Sequence, residues 1–364
     1  MKKEHILVIR FSALGDVAMV VPVVSSLARQ YPDLRITVLS RSFARPFFNN
    51  LAPNVGFMEA DVKHEFHGIK GLNTLYRRLT AKQFTAIADL HNVLRSGFLR
   101  MRFNIGRYRV EHIDKHRKGR RRLTSANNKQ LIQQPTSFEN YLQVFERLGY
   151  PVKTDFHSIF DGNPDGKGDL AVLTPLLPPA FLTPLAKATG PVVGIAPFAA
   201  HQGKVYPPPL MQQVIALLCQ QHPDINIYLF GRGQQESKYF DEWCRTYPQC
   251  FFVGRHLTDM YQELILMSHL NVMLSMDSAN MHLASLTGIP VISVWGATHP
   301  YAGFMGWGQS IDNAVQTDLP CRPCSIYGQK PCKRGDYACL NGITPDMILE
   351  RINHILLTEK PTET

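Results

Sequence analysis

The stretch that decides the fold is Val272-Met-Leu-Ser-Met-Asp-Ser-Ala-Asn-Met-His-Leu-Ala-Ser-Leu-Thr-Gly-Ile-Pro-Val-Ile-Ser-Val-Trp295. It begins and ends with short apolar runs of the kind that form buried strands, and apolar residues recur at helical spacing between them. A strand, a helix and a second strand in this order predict parallel strands covered by helices on both faces.

The same alternation extends over the whole C-terminal half. Buried strands are predicted at Val192–Ala196, Ile225–Phe230, Phe251–Val253, Val272–Ser275 and Val291–Trp295. Helical patterns lie between them at about 206–221, 235–247, 259–267 and 279–287. The C-terminal half therefore reads as a Rossmann-like domain.

The N-terminal half has a similar but less regular pattern. Strands are predicted at 6–9, 36–39 and 86–90, and a helix at Ser137–Leu148. A helical pattern follows the turn after the first strand, and Pro22 within it predicts a kink or a new helical start. We expect two Rossmann-like α/β domains that face each other across a cleft and bind ligands between the carboxyl ends of their strands.

Residues 162–191 contain six Pro and four Gly and read as the connection between domains. The predicted domains are 1–175 and 176–364. Among 364 residues, 45% are hydrophobic, which excludes a disordered chain.

Targeting signals and charge bear on where the protein acts and on what it binds. There is no membrane-length apolar run, and no secretory leader is evident, so we expect a cytoplasmic protein. Seven Cys suit a reducing compartment, and the net charge of +10 favours anionic partners.

Arg10-Phe-Ser-Ala-Leu-Gly-Asp16 follows the first strand and opens a helix. Asp16 could act as a general base at this strand end, or it could cap the helix, which is a common use of Asp. The local sequence alone leaves both interpretations open.

Three further segments could hold an anionic ligand. Asp277 and Ser278 precede a helix whose first N–H groups could bind a diphosphate, with His282 one turn along; an ordinary capped helix is the alternative. Lys204 could clamp a phosphate or be a solvated loop residue. Glu236 ends Gly231-Arg-Gly-Gln-Gln-Glu236 and could contact a ribose or lie on the surface at a helix start.

Residues 107–122 hold eight Lys/Arg against two acidic residues, a net +6. Such a run is either a solvated surface or a binding site for an anionic acceptor. Nucleic acid is a weaker candidate, because aromatic residues are limited to Tyr108.

A separate cluster consists of Cys321, Cys324, Cys332 and Cys339, whose spacing is compatible with a structural zinc ion or with free thiols.

In their order along the chain these motifs resemble glycosyltransferase family 9, the ADP-heptose:lipopolysaccharide heptosyltransferases. The strongest parts are R-x-S-x-x-G-D at Arg10–Asp16 and the D-S-x-x-x-H-L-A…G-x-P…W-G-x-T-x-P run of Asp277–Pro300. The resemblance implies the two-domain GT-B fold and inverting, metal-independent transfer of a sugar from a nucleotide donor. No cofactor is then required for catalysis.

The resemblance also implies roles for individual residues. Asp16 becomes the base that takes the acceptor proton. The N-terminal domain, 1–175, becomes the acceptor side, and the C-terminal domain, 176–364, becomes the nucleotide side. The donor would be bound by Lys204, Glu236, Asp277, Ser278, Ala279 and His282. The acceptor, an anionic glycolipid, would be bound by the basic run through Arg117, Lys118 and Arg120. We expect peripheral contact with the inner face of the cytoplasmic membrane and no nucleic-acid partner.

Two other functions stay open on the sequence alone. A nucleotide-sugar epimerase can share the two-domain fold, and the +10 charge would also suit a non-enzymatic protein that binds anions or nucleic acid. An NAD-dependent dehydrogenase is disfavoured, because no G-x-G-x-x-G follows the first strand.

Overall fold

The computed structural model describes residues 4–187 and 190–358. The contacts of the chain divide it into two compact units. The first unit comprises the residues up to His116 together with Pro135–Ile159. The second unit comprises Arg117–Gln134 together with the residues from Phe160 onward.

The division differs from the predicted boundary at residue 175 in two respects. From Phe160 onward the chain belongs to the second unit, so the Pro- and Gly-rich stretch 162–191 packs with that unit. It also leaves the first unit earlier, and Arg117–Gln134 packs with the second unit before the chain returns. Five of the eight basic residues of the run 107–122 therefore lie on the unit expected to bind the nucleotide.

The first unit is built around a five-stranded parallel sheet in the order β3-β2-β1-β4-β5. Its strands are β1 His5–Ile9, β2 Arg35–Ser40, β3 Val55–Glu59, β4 Ala86–Asp89 and β5 Arg109–His112. The helices up to the end of this unit are α1 Leu14–Ala18, α2 Val20–Gln30, α3 Arg45–Phe48, α4 Gly68–Thr80, α5 Leu94–Ile105, α6 Arg117–Leu123, which packs with the second unit, and α7 Ser137–Arg147.

Pro22 coincides with a new helical start, as its position predicted. Helix α1 ends at Ala18 and α2 begins at Val20, so the proline occupies the first turn of α2. A proline is tolerated there because the first N–H groups of a helix have no intrahelical acceptor.

The second unit holds a six-stranded parallel sheet in the order β11-β10-β9-β6-β7-β8. Its strands are β6 Val192–Ala196, β7 Asn226–Leu229, β8 Cys250–Phe252, β9 Val272–Met276, β10 Val291–Val294 and β11 Ala314–Val315. The remaining helices are α8 Pro179–Lys187, α9 Pro208–Gln221, α10 Gln234–Thr246, α11 Met260–Met267, α12 Ala279–Ser285, α13 Ala338–Asn341 and α14 Pro345–Thr358.

The central strands are fully buried and consist of apolar residues, which is why their sequences read as continuous apolar runs. The eight strands predicted from the sequence are all present, whereas β3, β5 and β11 were not predicted. These three lie at sheet edges and are partly exposed, so they lack an apolar run. The described residues contain no helix long and apolar enough to cross a membrane.

Candidate functional site

An ion pair joins two loops at the carboxyl edge of the second sheet. Lys204 ends a short turn after β6, and Asp277 directly follows β9. Because β6 and β9 are parallel neighbours, the two loops meet, and Lys204 Nζ lies 2.9 Å from Asp277 Oδ2. The Asp277 side chain is 3% exposed and that of Lys204 is 15% exposed. The pair places a lysine ammonium at the edge where a ligand would bind.

The helix after Asp277 begins without a side-chain cap. Ser278 occupies the N-cap position of α12, but its hydroxyl lies 3.3 Å from that of Ser275 and accepts no bond from the helix. Ala279 is the first helical residue, and His282 is buried one turn further on. The ordinary side-chain cap considered as an alternative is therefore not what forms here. The first backbone N–H groups of α12 remain suited to a bound anion.

Glu236 binds its own loop. Its Oε2 accepts hydrogen bonds of 3.0 Å from the backbone N–H groups of Arg232 and of Gly233. This arrangement is the helix-start role considered for a glutamate at this position, since α10 begins at Gln234. It fixes the glycine-rich loop that follows β7, which is β6's other neighbour in the sheet. The ribose contact stays a prediction.

A buried arginine that the sequence analysis missed holds the loop after β10. Arg322 is 4% exposed and donates to the carbonyl oxygens of Trp295, Gly296 and Thr298 at 3.1, 2.5 and 2.9 Å. The next peptide group, Ala297 N–H, donates to Gly203 O at 2.8 Å. Arg322 thus orders the loop that packs against the turn carrying Lys204. Arg322 could not be recognised from the sequence, because a single Arg in a polar, Cys-rich loop has no distinctive pattern.

The four cysteines after Asp318 are not assembled into a metal site. Cys321 is exposed and Cys339 is buried, and burial raises the pKa of Cys339 to about 11. Burial also raises the pKa of Cys324, so both thiols carry their protons near neutral pH. Within residues 4–187 and 190–358, no three His, Cys, Asp or Glu side chains form a group able to hold a metal ion. Structural zinc at these four cysteines therefore stays a prediction.

Asp16 lies in the first turn of α1, and the N-cap position that the sequence left open for it is occupied by Ala13. Its Oδ2 accepts from Ala13 N–H at 3.1 Å, the helix-start contact, and lies 2.5 Å from an Nη atom of Arg10. Arg10 is buried and also donates to Leu90 O at 2.7 Å. Tyr141 donates its hydroxyl proton to the backbone oxygen of Asp16 at 3.2 Å. The carboxylate is about one-third exposed and firmly oriented at the end of β1.

His91, which the sequence analysis did not single out, packs beside the same segment. Its Nδ1 accepts from Phe11 N–H and its Nε2 lies near Ser12 Oγ, each at 3.4 Å. Burial, followed by the positive charge of Arg10, lowers the pKa of His91 to about 3. The imidazole is therefore neutral at pH 7, and with Nδ1 as acceptor the proton lies on Nε2.

The turn that carries His91 is itself anchored. Asp89, fully buried at the end of β4, accepts from the backbone N–H groups of His91 and Asn92 and from Arg100 at 2.9 to 3.0 Å. A buried carboxylate with three partners holds the turn in one conformation. Asp89 lies within the strand predicted at 86–90, and a charged side chain in a buried strand needs such partners. That position was the one indication available from the sequence alone.

A pocket of about 390 Å³ lies at the carboxyl edge of the first sheet. The loops after β1, β2, β3 and β4 each contribute to it, because these parallel strands end at one edge. Its wall is apolar in part and carries three cations, and it is lined by Phe11, Ser12, Arg41, Val62, Lys63, His91, Val93, Leu94 and Arg95. Arg41, Lys63 and Arg95 were missed, because they are far apart in sequence and lie outside the basic run.

The predicted acceptor residues on α6 occupy different environments. Arg117 and Lys118 are exposed. Arg120 is 9% exposed, with its guanidinium carbon 4.6 Å from the centre of the Phe304 ring and its Nη1 3.4 Å from the Tyr327 hydroxyl. Arg120 thus attaches α6 to the second unit. Another pocket, of about 340 Å³, is lined by polar and basic side chains that include Lys118.

The family model described as glycosyltransferase family 9 (heptosyltransferase) matches residues 72–333. The chain belongs to glycosyltransferase family 9. It is similar to lipooligosaccharide heptosyltransferase 2 of Haemophilus influenzae, with 25% identity over 376 residues that cover 97% of this chain and 99% of that protein.

Two solved structures share the fold of this family 9 glycosyltransferase. The glycosyl transferase family 9 protein from Veillonella parvula matches with a TM-score of 0.71 and 16% identity over 99% of each chain. The ADP-heptose lps heptosyltransferase II of E. coli matches with a TM-score of 0.65 and 18% identity over 98% of this chain and 99% of that one. The two parallel-sheet units are those of the GT-B fold, as predicted.

Membership of family 9 decides between the functions that the sequence left open. The protein is a glycosyltransferase, and neither an epimerase nor a non-enzymatic anion-binding protein is favoured. The matched residues 72–333 include Lys204, Glu236 and the Asp277–His282 segment, whereas Asp16 precedes them. The individual roles of these residues remain predictions.

Proposed function

We propose that this glycosyltransferase moves a heptose from ADP-heptose onto the core of a lipopolysaccharide or a related anionic glycolipid, with inversion at the anomeric carbon. The observation that carries the proposal is the cationic pocket at the end of β1, beside the segment that contains Asp16. The donor is taken from the E. coli relative, named as an ADP-heptose enzyme, and from the Haemophilus heptosyltransferase.

The second unit would bind the donor through its diphosphate. Lys204 and the uncapped start of α12 present an ammonium and backbone N–H groups at one sheet edge. Negative charge grows on the departing ADP in the transition state, and donors already in place stabilise that charge without having to reorganise. Ser278, Ala279 and His282 belong to this edge, and Glu236 would reach the ribose from the neighbouring loop. On this account no metal ion is needed for departure of ADP.

The first unit would bind the acceptor. Arg41, Lys63 and Arg95 around a partly apolar pocket suit an acidic sugar that carries carboxylate or phosphate groups. Arg117 and Lys118, which are exposed and belong to the second unit, would contact further phosphates of the glycolipid. Arg120 would act by holding α6 in place, since its guanidinium is packed against Phe304.

Asp16 would be the general base. In the transfer, an acceptor hydroxyl oxygen forms a bond to the anomeric carbon while the bond from that carbon to the ADP oxygen breaks. The hydroxyl proton passes to the Asp16 carboxylate, and the electron pair of the broken bond leaves with ADP. One positioned base contributes roughly 10²–10⁴-fold to such a rate. The ion pair with Arg10 and the Ala13 N–H contact orient the carboxylate for this role.

We expect the reaction to take place at the inner face of the cytoplasmic membrane, where a nucleotide sugar meets a lipid-linked acceptor.

The test is acceptor-dependent release of ADP. Purified protein is incubated with ADP-heptose, GDP-mannose or UDP-glucose, each with and without a heptose-deficient lipopolysaccharide core. We expect ADP release only with ADP-heptose and acceptor together, and a product heavier than the acceptor by one heptose residue. Equal turnover with another nucleotide sugar, or ADP release that is independent of acceptor, would refute the proposed substrates.

A further inference from the structure

Helix α5 has an apolar stripe on the side that faces away from its sheet. Leu94, Phe98, Met101 and Ile105 follow one another at intervals of four, three and four residues, which places them on one face of a helix. Leu94 is 95% exposed, Met101 49% and Ile105 70%. The opposite face, with Ser96, Leu99 and Phe103, is buried. A surface helix normally presents polar residues outward, so this outer stripe needs a partner.

The surroundings of the outer stripe are cationic. Helices α4 and α5 pack against each other, and neither contains an Asp or Glu within its bounds. Together they carry Lys70, Arg77, Arg78, Arg95, Arg100 and Arg102. Two of these charges are matched locally, Arg78 by Glu65 at 2.7 Å and Arg100 by Asp89 at 3.0 Å. Near the start of α4, Ile69 adds a further apolar side chain that is 73% exposed.

The outer stripe is continuous with the pocket described above. Leu94 begins the stripe and also lines the pocket, as does the adjacent Arg95. From Leu94 to Ile105 the helix extends about 16 Å at 1.5 Å per residue. An apolar stripe of this length with basic residues beside it is the composition of a helix that lies in the headgroup region of an anionic bilayer.

We propose that the outer stripe of α5 is the surface by which the enzyme docks on an anionic lipid bilayer, with the pocket mouth at the lipid surface. The proposal rests on the proposed function, in that the acceptor is lipid-linked. Apolar side chains would enter the interface while Lys70, Arg77 and Arg95 face the negative headgroups. Docking would present a membrane-embedded acceptor directly to the pocket.

The first experiment measures binding to vesicles without any substrate. Wild type, Met101→Gln/Ile105→Gln and the control Leu131→Gln/Ile132→Gln are floated with phosphatidylglycerol or phosphatidylcholine vesicles. Leu131 and Ile132 are exposed apolar residues of the second unit, 49% and 60% exposed. We expect binding to the anionic vesicles only, a partition coefficient lowered at least about tenfold in the α5 variant, and no change in the control.

The second experiment separates docking from catalysis. We expect the α5 variant to lose turnover on acceptor embedded in vesicles and to keep wild-type turnover on delipidated acceptor. If instead the transferase proposal is wrong, wild type should show no turnover on either acceptor while its binding to vesicles persists. Equal vesicle binding by wild type and the α5 variant, or no binding by wild type, would overturn the docking proposal. The docking proposal would also be overturned if the wild type is a dimer, the α5 variant is a monomer, and the two bind vesicles equally well.

A spectroscopic probe locates the helix directly. The natural tryptophans, Trp243, Trp295 and Trp307, all belong to the second unit. A Met101→Trp variant is therefore a new reporter on α5, and a Leu131→Trp variant is its control. We expect brominated lipids to quench the Met101→Trp emission strongly and the control weakly. Equal quenching of the two variants would contradict insertion of α5.

Discussion

Lys204 Nζ lies 2.9 Å from Asp277 Oδ2, and this contact joins the loop after β6 to the loop after β9. The carboxylate is almost completely buried, so it depends on the ammonium for compensation of its charge. We proposed above that the same ammonium also binds the diphosphate of the donor. On that proposal, stability and donor binding would both depend on the Lys204 side chain.

The Lys204→Met variant should be both less stable and defective in donor binding. Loss of one partner of a buried pair leaves an uncompensated charge, which costs roughly 3 kcal/mol of unfolding free energy. The double variant Lys204→Met/Asp277→Leu should recover most of that stability but not the shift of the melting temperature that ADP produces. Thermal unfolding with and without ADP checks both effects. If Lys204→Met has the wild-type stability and the wild-type shift of melting temperature with ADP, the ion pair contributes to neither stability nor donor binding.

The Asp16→Asn variant should lose roughly 10²–10⁴-fold in kcat, because an amide does not accept the acceptor proton. The KM for the donor should change little, since Asp16 belongs to the first unit. Asp33→Asn, an exposed carboxylate of the same unit, is the matched control. Steady-state kinetics with ADP-heptose and acceptor supply the measurement. Full turnover by Asp16→Asn would remove this residue from the mechanism.

Substitution of the pocket cations should weaken acceptor binding. Arg41→Gln, Lys63→Gln and Arg95→Gln should each raise the KM for delipidated acceptor about tenfold, as expected for loss of one charged hydrogen bond. The control Lys153→Gln, an exposed lysine of the same unit, should leave that KM unchanged. Pocket variants that match the control in acceptor titrations would place the acceptor elsewhere.

Because the folded state keeps His91 neutral, the protein should become less stable in acid. The folded pKa of about 3 lies below the ordinary value of 6.5, so below about pH 6.5 the unfolded state binds a proton that the folded state does not. This group therefore lowers stability as pH falls from about 6.5 toward 3, by up to about 1.4 kcal/mol per pH unit.

The His91→Gln variant should show a shallower loss of stability between pH 7 and pH 5 than wild type. The exposed His64→Gln variant is the control. Urea unfolding at several pH values, followed by circular dichroism, gives the slopes. The slope rather than the absolute stability is decisive, because the glutamine also alters packing near Phe11. Parallel slopes for wild type and His91→Gln would contradict the prediction.

The Arg322→Lys variant should be destabilised by roughly 2–4 kcal/mol, since a lysine lacks the planar fork that reaches several carbonyl groups. Release of the Gly296–Thr298 loop should also raise the KM for the donor. Arg334→Lys, at an exposed pair with Asp336, should have little effect on either quantity. Denaturant unfolding and donor titration test the two consequences. A wild-type KM in a destabilised Arg322→Lys protein would confine Arg322 to a structural role.

Much of the second unit could be predicted from the sequence. Val192–Ala196 and Val272–Ser275 are apolar because a central parallel strand is covered on both faces. The edge strand β5 was missed for the opposite reason. Arg109–His112 has exposed polar residues, and the surrounding charge made it resemble a solvated surface. Its strand conformation comes from pairing with β4, which local sequence does not encode.

The site was predicted in part. The Arg10–Asp16 and Asp277–His282 motifs led to residues that do lie at sheet edges, because a motif that follows a strand is placed there by the strand. The bonds of Glu236 to its own loop and the burial of Arg120 against Phe304 did not follow from those motifs. They depend on which neighbours a side chain meets after folding.

The sequence by itself determined the alternation of strands and helices, the family and the motifs at the ends of the strands. Periodicity and short motifs are local, so they can be read without knowing what packs against them. Only the tertiary structure decided that the loops after β1 to β4 form one pocket, and that Arg117–Gln134 packs with the second unit. It also decided that the outer stripe of α5 remains uncovered. These features join residues that are distant in the chain, and burial of apolar surface over the whole fold selects them.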